Sequence, residues 1–146
     1  MTDIHFHFNV PDRLAYACRL LRKAVRAGTS GVAVSAPAPT LATLDRLLWT
    51  FEPQEFLPHV LLRDGEAPPA RLARTPIWLV PDAAMASRHP VLVHLGDEPA
   101  AGFESFERLI EIVSTDPDGR EAARRRWKHY AARGYEIVRH DLGGAG

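Results

Sequence analysis

The sequence predicts a three-layer α/β domain with a central, mostly parallel sheet. Three observations predict it. Short apolar runs such as Val32-Ala33-Val34 and Ile77-Trp78-Leu79-Val80 read as strands covered on both faces, as in a parallel sheet. Segments with helical spacing alternate with them. The intervening stretches are rich in Ala, Pro and Asp, and Ala67-Pro68-Pro69-Ala70 and Asp97-Glu98-Pro99 are clear breaks.

The chain opens on a strand: Ile4, Phe6 and Phe8 alternate with His5, His7 and Asn9, a period of two with one apolar face. Pro11-Asp12 opens a helix in which Leu14, Ala17, Cys18, Leu21 and Val25 fall at helical spacing, and Gly28 stops it. A simple βαβ closure places the Ile4–Asn9 strand beside the Val32–Ser35 strand. Thr40 is the expected cap of a second helix, Leu41 to Trp49, with Leu44, Leu47 and Leu48 inward. Further strands are expected at 77–80, 91–95 and 109–113. Asp116-Pro117-Asp118 starts a basic helix running to about Arg133, Gly134 ends it, and Tyr135 to Val138 is the last strand. Residues 1–141 read as one α/β domain and 142–146, rich in glycine, as a flexible tail.

Composition narrows the function. The 146 residues are 46% apolar and 25% charged, with 18 basic and 18 acidic side chains. That is an ordinary globular chain, and zero net charge argues against a protein that coats nucleic acid. Cys18 is the only cysteine and sits among apolar helical positions, so it reads as a small core residue. No apolar run approaches the about 20 residues needed to span a bilayer. The N-terminus has no basic region followed by an apolar one, so a cytoplasmic protein is expected.

Several chemistries lack their signatures. The first strand-to-helix turn, FNVPDRLA, contains no glycine, so there is no backbone cradle for phosphates and no nucleotide cofactor is expected. His5 and His7 share a strand face, and His59 and His94 are conceivable companions. The tight ligand pairs of a zinc site are missing, however, and these histidines read as polar-face residues. There is no G-x-S-x-G elbow, and no activated nucleophile is in view. No intrinsic catalytic activity is expected.

Two stretches stand out instead. From Arg120 to Arg133 the chain carries six Arg or Lys residues and one acid, whereas Asp97 to Asp118 carries seven acids and one Arg. On a helix, Arg120, Arg124 and Lys128 form one stripe with Trp127 beside it, while Ala123, Tyr130 and Ala131 can face the sheet. Three readings are open. The stripe is a solvated face with Trp127 buried. It is a cationic shelf beside an apolar slot, suited to an acidic peptide with an aromatic or a terminal carboxylate. Or it binds single-stranded nucleic acid, phosphates on the arginines and a base on Trp127. The other stretch, LDRLLWTFEPQEFLPH, sets Trp49, Phe51, Phe56 and Leu57 around a bend punctuated by Pro53 and Pro58. There Trp49 either closes the core or faces a partner.

Together the two stretches resemble one family, the chi subunit of bacterial DNA polymerase III. The likeness rests on Leu44, Asp45, Leu48, Trp49, Phe56, Leu57, Pro58 and His59, and on AARRRWKHYAARGYEI, in which Trp127 stands where the family carries Tyr. The order and length of the elements agree over nearly the whole chain. The resemblance implies a Rossmann-like fold without a working nucleotide site and a non-catalytic subunit of a DNA-directed DNA polymerase. It implies a psi subunit as partner, tethering the chain to the clamp loader, with Trp49, Phe56 and Leu57 as the psi-binding residues. It further implies binding of the acidic, Phe-ending C-terminal tail of single-stranded DNA-binding protein. Arg124 and Lys128 would take the tail's carboxylates, Arg120 stands where a basic residue of the site is expected one turn earlier, Trp127 would wall the Phe slot and Val113 would floor it. Single-stranded DNA would then be met only indirectly. A direct single-strand-binding module using the basic C-terminal helix is the alternative.

Overall fold

In the computed structural model, which describes residues 1–29, 31–52, 54 and 56–143, seven strands form one sheet, parallel throughout. The elements run β1 (Asp3–Val10), α1 (Arg13–Arg26), β2 (Val32–Ser35), α2 (Ala38–Thr50), β3 (His59–Leu61), β4 (Ile77–Val80), β5 (Val91–His94), β6 (Arg108–Ser114), α3 (Pro117–Ala132) and β7 (Ile137–Asp141). The strand order is β3-β4-β2-β5-β6-β1-β7. Helices α1 and α2 cover one face, and α3 with short 3-10 turns at Ala83–Ala86 and Phe103–Ser105 covers the other. This is the three-layer arrangement the apolar runs predict.

β1 and β2 are not neighbours. β5 and β6 lie between them, which corrects the simple βαβ expectation. The reason lies in their two faces. All four residues of β2 are buried, so it belongs near the middle of the sheet. β1 carries His5 and His7 on one face and lies next to the edge strand β7. Helix α1 bridges the gap. Its buried Ala17, Cys18 and Leu21 share one cluster with Val32 and Val34 of β2, Val93 of β5, and Ile110 and Ile112 of β6. One helix about 10–12 Å wide covers strands spaced about 4.8 Å apart, leaving room for two to enter later in the chain.

The helix ends follow local chemistry. Asp12 caps α1 by accepting from the Ala15 amide at 3.1 Å, so Pro11 lies before the cap and outside the first turn. At the other end Gly28, at φ +77°, donates to the Val25 carbonyl and Thr29 donates to that of Ala24, the paired bonds of a Schellman stop. The same motif closes α3. Gly134 bonds back to Ala131 and Tyr135 to Tyr130. Tyr135 therefore belongs to the helix stop, and β7 starts at Ile137, two residues later than predicted. Thr40 does not cap α2. Pro37 is the cap residue, without a side-chain bond, and Pro39 sits in the first turn, where its missing N–H costs nothing. Leu41, Leu44 and Leu48 are buried, while Leu47 is turned outward. β3, a three-residue edge strand, has no signature in the sequence.

A bulge in β1 shapes everything downstream. Asn9 adopts φ +61°, a left-handed conformation that Asn tolerates, and the pairing with β6 shifts between His7 and Val10. Phe6 and Phe8 stay on the α3 face, whereas Val10 is switched to the α1 side and buried there. Leu142 donates to the Phe8 carbonyl at 3.1 Å and packs on the core.

Candidate functional site: a cationic groove and an aromatic patch

A cleft of about 500 Å³ lies between α3 and the C-terminal ends of β1, β6 and β7. Phe6 and Phe8 of β1, Val113 of β6 and Ala123 of α3 supply its apolar lining. Trp127 stands edge-on to Phe6 with ring centroids 5.0 Å apart, so the indole is half-buried and forms a wall rather than sinking into the core. Arg120, Arg124 and Lys128 line the cleft from α3, and all three are exposed. All five residues expected at a tail site, Val113 included, are thus brought together.

Sequence reasoning missed the opposite wall. Arg139 of β7 sits over the Phe8 ring at 5.4 Å and the Trp127 ring at 5.9 Å. Its register partner on β1 is Phe6, which places both on the groove face. The last strand was expected to end at Val138, three residues short of its end at Asp141; period-two alternation continued from Ile137 would have found Arg139. The groove is therefore cationic on two sides around an aromatic floor. Arg124 touches Glu121 at 3.3 Å, but both side chains are more than half exposed, so the pair is weak and a ligand can displace it. Among the described residues no ion pair engages Arg120 or Lys128.

The start of α3 is fastened to the groove's end. Asp116 caps the helix by accepting from the Gly119 amide at 2.8 Å and also accepts from the Ser114 hydroxyl. These two bonds, the Ser114 one foremost, hold its carboxyl below the usual range. A Cβ at Gly119 would meet the Ser114 oxygen and crowd the Asp116 carboxylate, so a side chain there would have to displace these capping groups.

Under the basic face lies a different use of charge. Arg126 is buried, its Nε donating to Glu111 Oε1 at 3.0 Å and its Nη1 to the Asp97 carbonyl at 3.3 Å. The Tyr130 hydroxyl donates to Glu111 Oε2 at 2.6 Å and accepts from the Ala100 amide. Burial, with the Glu111 charge behind it, raises the Tyr130 phenol far above its ordinary value. One of the six basic residues in the stretch is thus structural. Ala123 and Tyr130 face the sheet as expected, but Ala131 is exposed, and Ala122 and Arg126 take the inward positions instead.

The second surface lies at the other end of the sheet. Trp49 is 57% exposed and Phe56 63%, and their rings stack at 5.3 Å. Trp49 therefore does not close the core. Beneath it His59 lies 4.8 Å from the indole and bonds through Nδ1 to the Leu57 carbonyl at 2.7 Å. The Asp45 carboxylate stands 3.1 Å from the His59 Nε2, without in-line hydrogen-bond geometry. Leu57 does not join the patch. It is buried against α2 in the core and anchors the bend from below. Pro58 lies between Leu57 and His59, while Pro53 is outside the described residues. Phe51 is half-buried, with the Arg22 guanidinium over its ring at 5.1 Å.

The histidines separate into unrelated settings. His59 belongs to the aromatic patch. His94 is buried between the Ser35 hydroxyl at 2.8 Å and the Glu98 carbonyl at 2.6 Å, so neither joins His5 and His7. His7 is half-buried under α1, and burial, reinforced by His140, lowers it to about 4.

The fold is thus a Rossmann-like parallel sheet whose first turn lacks a glycine cradle, with a cationic, aromatic-lined groove and a separate exposed aromatic pair on its surface. The chain belongs to the DNA polymerase III chi subunit family: residues 1–138 match the family described as DNA polymerase III chi subunit, HolC. It is 33% identical to DNA polymerase III subunit chi of Pseudomonas aeruginosa, over 97% of this chain and 98% of that one. It is 29% identical to the chi subunit of Haemophilus influenzae, over 87% and 85%, and 28% identical to that of Escherichia coli, over 64% and 61%. This is an accessory subunit of the polymerase and not its catalytic unit. No helix among the described residues is long and apolar enough to cross a membrane.

Proposed function

We propose that the chain is a replication adaptor. It binds the psi subunit of the clamp-loader complex through Trp49 and Phe56, and the acidic C-terminal tail of single-stranded DNA-binding protein in the groove between α3 and β1. The observation that carries the tail assignment is the pairing of an aromatic-floored slot with cations on both walls, Arg120, Arg124 and Lys128 facing Arg139. A terminal Phe ring fits against Phe6, Val113 and Trp127, and its carboxylate then lies within the field of the guanidinium groups. Arginine can hold such a carboxylate by two parallel bonds. Upstream acids of the tail meet the remaining positive charge. The patch lies by β3 at one edge of the sheet and the groove by β7 at the other, a separation that suits an adaptor holding two partners.

The test is titration of a short acidic peptide ending in Phe, read by tryptophan fluorescence with Trp127 as reporter. Binding is expected at micromolar strength, because so small an interface buries little area. It should weaken as salt rises, since exposed charge pairs are screened over about 8–10 Å. Arg124→Ala should cost about 1.5–3 kcal/mol of binding, the worth of a hydrogen bond to a charged group, with thermal stability nearly unchanged. Arg139→Ala should weaken binding as well, whereas Arg71→Ala, on an exposed turn away from the groove, should not. Unchanged affinity in the Arg124 variant, or for a peptide lacking its terminal Phe, would remove the assignment. A single-stranded oligonucleotide that binds the groove as tightly as the peptide would favour direct nucleic-acid binding instead.

A further inference from the structure

The strand pairing creates a histidine cluster that linear spacing does not reveal. His7 of β1 and His140 of β7 are register partners, and His5 lies two residues before His7 on the same face. One ring nitrogen from each of His5, His7 and His140 lies within 4.8 Å of the other two. His5 Nδ1 and His140 Nε2 are 2.8 Å apart and share a proton. All three rings are half-buried at one end of a cleft of about 330 Å³ beneath α1.

Two of the three rings, those of His5 and His7, already have on a second nitrogen the kind of partner that orients a metal-binding imidazole. His5 Nε2 is 3.0 Å from the Asp3 carboxylate, an arrangement in which an outer N–H is held and the inner nitrogen is left basic. His7 Nδ1 is hydrogen-bonded to the Tyr16 hydroxyl of α1. Two cations and one carboxylate stand near the cluster. Arg108, which lines the cleft, is paired with Asp3 at 3.1 Å, and Lys23 is exposed at the cleft mouth.

We infer that His5, His7 and His140 form a site for a divalent transition metal of the zinc type, with the fourth position open to the cleft. Three imidazoles without a thiolate suit zinc and its neighbours rather than magnesium or calcium, which prefer oxygen. Zinc–nitrogen bonds of about 2.0–2.1 Å in a tetrahedron set ligand nitrogens roughly 3.3 Å apart, so the His5–His140 pair need open by only about half an ångström. The metal replaces the proton shared between those rings. The His140 proton then resides on its outer Nδ1, and no net charge is lost from the rings. The consequence is mechanical, because the ion staples the edge strand β7 to β1.

The experiment uses the full chain after dialysis against a chelator. Zinc alone is titrated by calorimetry, and cobalt by visible absorption, which reports tetrahedral geometry directly. One ion per chain, bound saturably at micromolar concentration and raising the melting temperature, is the expected result. His140→Ala, on a half-exposed edge strand, should fold as judged by circular dichroism and weaken zinc at least tenfold. Asp3→Asn should weaken it about tenfold through His5. His129→Ala, on α3 outside the cluster, should change nothing. Absence of saturable zinc binding, or binding of equal strength in the His140 and His7→Gln variants, would overturn the site.

Discussion

Replacing Arg126 by methionine should lower the unfolding free energy by about 3–5 kcal/mol, the usual cost of removing one partner from a buried ion pair. Arg126 and Glu111 are 3% and 0% exposed at their side chains, so the abandoned carboxylate cannot be rescued by solvent. It would keep only the Tyr130 hydroxyl, while the Asp97 carbonyl in the loop after β5 loses its donor. In urea the midpoint should fall with the slope unchanged. The double variant Glu111→Leu, Arg126→Met should recover much of the loss, because an apolar pair of similar volume is often as stable as the buried ions it replaces. A single variant within 1 kcal/mol of the parent would show that the network contributes little. The functional corollary is sharp: where folded, the Arg126 variant should bind the acidic peptide as the parent does, since this guanidinium faces Glu111 and not the groove.

Trp49→Ala and Phe56→Ala should each cost about 2 kcal/mol or more in affinity for the psi subunit, roughly thirtyfold, as stacked aromatic anchors at interface centres commonly do. Both side chains are mostly exposed in the isolated chain, so their removal should leave its stability within about 0.5 kcal/mol. Leu57→Ala should behave in the opposite way. It vacates a buried core position and should destabilise the fold by about 2–5 kcal/mol. Calorimetric titration with psi, alongside thermal melts, separates the two patterns. If Phe56→Ala melts the domain like a core truncation, or binds psi undiminished, the patch is not the interface. The His59 ring under Trp49 makes a further discrimination possible, because its loss should loosen the indole before it loosens the fold.

Most of the frame was legible in the linear chain. Helical spacing located α1, and its Gly28 stop obeys a local rule that glycine alone satisfies cheaply. The apolar runs located β2, β4 and β5 because strands buried on both faces leave no other pattern. The cationic stripe and Trp127 were also readable, since residues four apart share a helix face wherever the helix ends up. The parts that were misread depend on neighbours. Thr40 looks like a cap in isolation, but Pro37 and Pro39 start the helix earlier. β3 is only three residues long and is a strand because β4 offers it a partner.

The sequence by itself determined the class of fold, the missing phosphate cradle and three of the groove's four cations, because each follows from local periodicity or from residue type at a single turn. Only the tertiary structure decided the strand order, which sets β1 beside β6 and β7 rather than β2. That order alone brings Arg139 over Phe8 and Trp127, sets His140 against His5 and His7, and buries Arg126 on Glu111 while Arg124 stays in water. The physical reason is that these are contacts between residues far apart in the chain. A helical or strand period says which side chains share a face, but the element that covers that face is chosen by packing the whole sheet.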